Sequence, residues 1–150
     1  MSNILYTRSP MSFEEKSTWI MAVISPVACA VYVLNVLGRL EQAPATEVHY
    51  AWPMIVSIVA AIVASIVAHI VVAIANPREA DRRDERDDHI ARFGGQVSGF
   101  VLAICCVNVL IMAITEVAYF WIANALYASL VLADITSSVT KILGYRRGFC

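Results

Sequence analysis

The chain has 150 residues, 59% of them apolar, a mean hydropathy of +0.69 and a net charge of −1. Water-soluble domains are about 45–50% apolar, so composition excludes an ordinary soluble fold, and the length allows a single domain spanning residues 1–150. With no basic excess there is no electrostatic footprint for nucleic acid.

A bilayer's hydrocarbon core, about 30 Å thick, takes about 20 residues of helix. Inside lipid every backbone N–H and C=O must be paired within the segment, so an apolar run of that length becomes a helix. The first such run, 19–38, follows Glu14, Glu15 and Lys16 and stops at Arg39, and Pro26 within it predicts a kink. A cleaved leader is the alternative for this run, but the preceding segment is acidic and the apolar stretch continues past the candidate cut near Cys29. The second run, 52–75, is closed by Asn76 and Pro77.

Next comes a charged segment, 76–95, reading NPREADRRDERDDHIARFGG, with five arginines and six acids between Arg78 and Arg92. Glu79 with Arg83 and Asp88 with Arg92 are spaced i,i+4, which predicts that this segment extends the third helix into water. Asp84, Glu85, Asp87, Asp88 and His89 do not form a calcium loop, because no glycine supplies the turn and the arginines repel a cation. The third span covers 96–115 and Glu116 marks a return to water. The fourth, about 119–143, follows so closely that the two must be antiparallel. Trp19, Trp52, Tyr119 and Trp121 stand near span ends, where amphipathic rings prefer the headgroup region.

The expected fold is therefore all-α, four transmembrane helices in an up-down bundle. Orientation follows Lys and Arg. With four spans, all the basic residues except Arg39 fall on one side: Arg8 and Lys16 before the first span, the five loop arginines, and Lys141, Arg146 and Arg147 at the end. That side is read as the cytoplasm, with both termini in it and the chain as a multi-pass protein of the cell's inner (plasma) membrane.

Helices in lipid associate through small residues and occasional polar contacts. The second span carries Ser57, Ala61, Ser65, His69 and Ala73 at spacing four, beside Ala60, Ala64 and Ala68. The third has Gly95, Gly99 and Ala103, and the fourth has Ala125, Ser129, Ala133 and Ser137. Such faces suit a bundle, a homo-oligomer or another membrane subunit equally. Cys29, Cys105, Cys106 and Cys150 show no zinc spacing and read as small packing residues.

Polar groups within the spans are costly, about 2.5–3.5 kcal/mol for a central carboxylate. Asp134 and His69 are the clearest, at similar depth on helices running the same way, and Asn35, Asn108, Glu116 and Asn124 form a second group. No HExxH, GxSxG, phosphate-binding loop or haem CxxCH occurs, and His49, His69 and His89 lie in different environments. No cofactor, metal site or enzymatic activity is expected.

DERDDHIARFGG, then two spans and GYRRGF, resembles a family of small bacterial multi-spanning membrane proteins of unknown function with a DERD-type loop motif and a Tyr-Arg-Arg-Gly ending. The resemblance covers about Arg82 to Phe149 and rests on Asp84, Glu85, Arg86, Asp87 and Ile90 in the loop and Tyr145, Arg146, Arg147 and Gly148 in the tail. It implies a cytoplasmic docking surface and, since some members accompany small regulators, a regulatory partner. The favoured expectation is a non-enzymatic membrane protein acting through contacts. The alternative is a small transporter or proton-coupled carrier using Asp134 and His69.

Overall fold

A computed structural model describes residues 13–40, 49–75 and 85–147. They form four helices, α1 (Phe13–Leu40), α2 (Ala51–Ala75), α3 (Glu85–Ile114) and α4 (Tyr119–Arg147), with no strand among them. All four are long and apolar enough to cross a membrane, with mean hydropathies from 1.4 in α4 to 2.8 in α2. The chain is a multi-pass membrane protein.

The helix ends follow local chemistry. α1 runs unbroken through Pro26. α2 opens with Pro53 in its first turn, where a missing N–H costs nothing, and its first helical bond runs from Met54 N–H to Tyr50 C=O. α3 begins at Glu85, well before the apolar span, as the i,i+4 pairs predict. The Asp88–Arg92 pair is present at 3.8 Å. Acidic Glu85, Asp87 and Asp88 in its first turn suit the positive end of the helix dipole. The expected Glu79–Arg83 pair lies outside the described residues.

α3 ends in a left-handed cap. Glu116 has φ 57°, its N–H bonds Ala113 C=O at 3.2 Å, and Val117 N–H bonds Met112 C=O at 3.1 Å. This paired pattern reverses the chain within a few residues and starts α4 alongside α3.

The substantial interfaces are α1 with α2, α1 with α4, and α3 with α4. α1 and α4 therefore sit inside, and α2 and α3 flank them, so the charged 76–84 connection joins the two outer helices. The ends of the molecule differ. At the charged end α1 and α3 begin while α2 and α4 finish; at the hairpin end lies the α3–α4 turn. A buried apolar cluster lies at the hairpin end, where Tyr32, Val36, Phe120 and Tyr127 pack against Cys29, Tyr50, Met54, Ile58 and Val131. Elsewhere Ile, Val and Leu side chains of every helix stay open, among them Ile66, Ile104 and Leu130, as lipid-facing residues should.

The small-residue faces divide. On α2, Ser57, Ala61, Ser65, His69 and Ala73 are half-buried, whereas Ala60 and Ala64 are exposed. On α4, Ser129 and Ala133 are buried. On α3 the stripe Gly95, Gly99 and Ala103 is open, and the glycine used for packing is Gly94. A Cβ placed on Gly94 would fall 2.7 Å from Lys141 Cγ and 3.3 Å from the Ser137 carbonyl oxygen; one on Gly95 or Gly99 would meet nothing. Adjacent residues point about 100° apart on a helix, so the neighbouring glycine serves a different face.

Candidate functional site

At the charged end, the first turns of α3 present Glu85, Arg86, His89 and Arg92 as exposed side chains, while Asp87 and Asp88 are half-buried. Ile90 is buried at 3% exposure, so within the motif it anchors the helix instead of facing outward. Since α3 and α4 are antiparallel and Gly94 lies against Ser137 and Lys141, Ile90 one turn earlier comes level with Gly144, which is also buried. The loop motif and the tail motif thus border the same end of the α3–α4 interface. Tyr145 is half-buried, and the exposed Arg146 guanidinium stacks over the Trp19 ring at 5.4 Å, tying the end of α4 to the start of α1. Asp84 and Gly148 lie outside the described residues, as does the side chain of Arg147.

Within the membrane the polar residues separate. His69 does not turn toward α4. Its Nε2 is 2.5 Å from Ser17 Oγ on α1 and its Nδ1 is 2.7 Å from the Ser65 carbonyl oxygen. The carbonyl can only accept, so Nδ1 carries a proton and donates to it, while Nε2 pairs with the Ser17 hydroxyl. This is a structural clamp between α1 and α2. Asp134 is half-buried, and no described hydrogen bond or ion pair joins it to His69. Asn108 is exposed and its amide donates to the Ile104 carbonyl of its own helix at 3.0 Å. Glu116 is exposed in the hairpin turn, with Asn35 near the same end donating to Val31 C=O at 2.7 Å.

The most connected polar cluster is at the hairpin end, and two of its members, Tyr32 and Tyr127, were not singled out by sequence. Ser57 donates to the Ala28 carbonyl at 3.1 Å, which spends its one proton, so the Tyr127 hydroxyl at 2.9 Å must donate to Ser57. Tyr32 donates to Asn124 Oδ1 at 2.7 Å, and Asn124 Nδ2 donates to the Phe120 carbonyl at 2.7 Å. The Tyr32 and Tyr127 rings meet edge to face at 5.0 Å, as do Tyr50 and Phe120 at 5.2 Å. The cluster joins α1, α2 and α4. Beside it a groove of about 440 Å³ opens between α1 and α2, lined by Val31, Tyr32, Asn35, Trp52 and Ser57 among others. The signal was present: a tyrosine well inside a span needs a hydroxyl partner, and Ser57 and Asn124 are suitable ones.

No three His, Cys, Asp or Glu side chains gather into a metal-binding group among the described residues. No protein-family model, curated protein or solved structure matches the chain.

Proposed function

We propose that the chain is an inner-membrane protein with both termini and the charged segment in the cytoplasm, and that it acts without catalysis by docking a cytoplasmic, regulatory partner. The observation that carries this reading is the amino-terminal part of α3. From Glu85 to Gly95 it continues a membrane-spanning helix beyond its apolar run by about 16 Å, at about 1.5 Å per residue. It presents Glu85, Arg86, His89 and Arg92 to water. A helix that is rigidly joined to the membrane domain and displays mixed charge can read out or report the state of that domain. The YRRG tail lies at the same end, with Arg146 held on Trp19. Ten of the eleven basic residues lie on this side, which supports its placement in the cytoplasm.

The carrier alternative gains little from the geometry, because both ring nitrogens of His69 are already engaged by Ser17 and Ser65.

The test is photocrosslinking in living cells from a benzophenone amino acid placed at Arg86. The reading expects one discrete adduct with a soluble protein, weakened by Arg147→Ala. Irradiation that yields no adduct above the dark control contradicts it.

A further inference from the structure

The groove between α1 and α2 lies within two spans and opens sideways, with Val31 and Val56 exposed along it. On α1 it runs from Asn35 to Ala28 and on α2 from Trp52 to Ala60, so at about 1.5 Å per residue it is about 11–12 Å long. Its mouth is at the hairpin end, where Asn35 stands near the finish of α1 and Trp52 at the start of α2. The groove therefore descends from the headgroup level into one leaflet, which is half of a hydrocarbon core about 30 Å thick.

The wall changes character with depth. Inside, Ala28, Val31, Val56 and Ala60 make it apolar. The polar residues there, Tyr32 and Ser57, spend their protons on Asn124 Oδ1 and the Ala28 carbonyl, so they offer a ligand no donor. At the mouth the reverse holds. Trp52 is 73% exposed, its indole N–H can only donate, and among the described residues no hydrogen bond reaches it. Asn35 uses one amide N–H on Val31 C=O and has a second. A ligand that fits is apolar along its length and carries acceptors at one end.

The chain's own α1–α2 connection does not fit. Residues 41–48 read EQAPATEV, and drawing them into the groove would set Glu41 and Glu47 among alanines and valines at membrane depth. A helix of a second copy is too thick. Spread over the groove's length, 440 Å³ is a cross-section of about 40 Å², whereas a helix with its side chains, about 10 Å across, fills about 80 Å². A hydrocarbon chain is far thinner, and it is what the surrounding leaflet supplies. We propose that the groove holds one acyl chain of a phospholipid from the hairpin-side leaflet, whose ester and phosphate oxygens accept from Trp52 and Asn35. The inference concerns the end opposite the docking surface and is independent of that reading.

The test uses the full-length chain in phosphatidylcholine liposomes that contain a small share of phosphatidylcholine with a diazirine in one acyl chain. Irradiation, digestion and mass spectrometry map the adducts. Residues 28–35 and 52–60 are expected to carry several-fold more adduct than Ile104 and Val107, exposed residues of α3 at similar depth. Ala60→Phe, which fills the groove, should remove that excess, and Ala64→Phe, one turn farther along α2, should keep it. Trp52→Phe, which retains a ring and loses the N–H, should reduce it. Unchanged adducts on Ile104 and Val107 guard against a variant that fails to insert. Even labelling of groove and α3 in the wild-type chain means that the lipid there is bulk solvent and overturns the proposal. So does a groove without adducts, whether residues 41–48 or a second copy covers it, or an excess that survives Ala60→Phe. An excess unchanged in Trp52→Phe overturns the assignment of the mouth.

Discussion

Tyr127, Ser57 and the Ala28 carbonyl form a directed chain of donors across three helices, and its direction follows from Ser57 having a single proton. Hydrogen bonds between helices in membranes are modest, averaging about 0.6 kcal/mol and reaching about 1.7 kcal/mol, because the separated helices also find partners. A double-mutant cycle of Tyr127→Phe and Ser57→Ala, read by unfolding in a bilayer or mild detergent, should therefore give a coupling of about 0.5–1.5 kcal/mol. A coupling indistinguishable from zero would mean that the two hydroxyls do not meet. The His69 clamp belongs to the same class of contact. Its position on the small face of α2 was readable from spacing, but its partner was not. Asp134 looked suitable at matching depth, and Ser17, before the predicted start of the first span, did not enter the comparison. α1 in fact begins at Phe13, several residues earlier than its apolar run, which carries Ser17 into the bundle.

Apolar run length located all four helices, since lipid leaves the backbone no other way to pair its polar groups. The i,i+4 pairs placed the start of α3 in the charged segment, where it is. Which faces meet was less legible. A spacing-four stripe marks a helix side able to approach another closely, yet Gly95 and Gly99 make such a stripe on α3 and face open space, while Gly94 packs on α4. Neighbouring glycines differ only in the rotation of the helix, and that rotation is set by its partner. The consequence is testable. Gly94→Leu should disrupt the α3–α4 interface and destabilise the chain by about 1–3 kcal/mol, as overpacking commonly does. Gly99→Leu should leave unfolding unchanged. Equal effects of the two substitutions would place the interface on the wrong side of α3.

Across the whole molecule the two ends have different tasks. The hairpin end holds the buried aromatic cluster and its hydrogen bonds, which lock α1, α2 and α4 together. Among the described residues the charged end carries Lys16, Arg86, Arg92, Lys141 and Arg146, the exposed first turns of α3 and the Arg146–Trp19 contact. A rigid end and a displayed end suit a membrane protein that works by contact, and the docking reading depends on the displayed end facing the cytoplasm. The most direct measurement of that claim is cysteine accessibility in intact cells. In a chain with its four native cysteines replaced by Ala, single cysteines are introduced as Glu85→Cys and Glu116→Cys. A membrane-impermeant maleimide should label the Glu116→Cys chain and leave Glu85→Cys unlabelled until the membrane is opened. Labelling of Glu85→Cys in intact cells, with Glu116→Cys protected, would put the charged end outside and contradict the account.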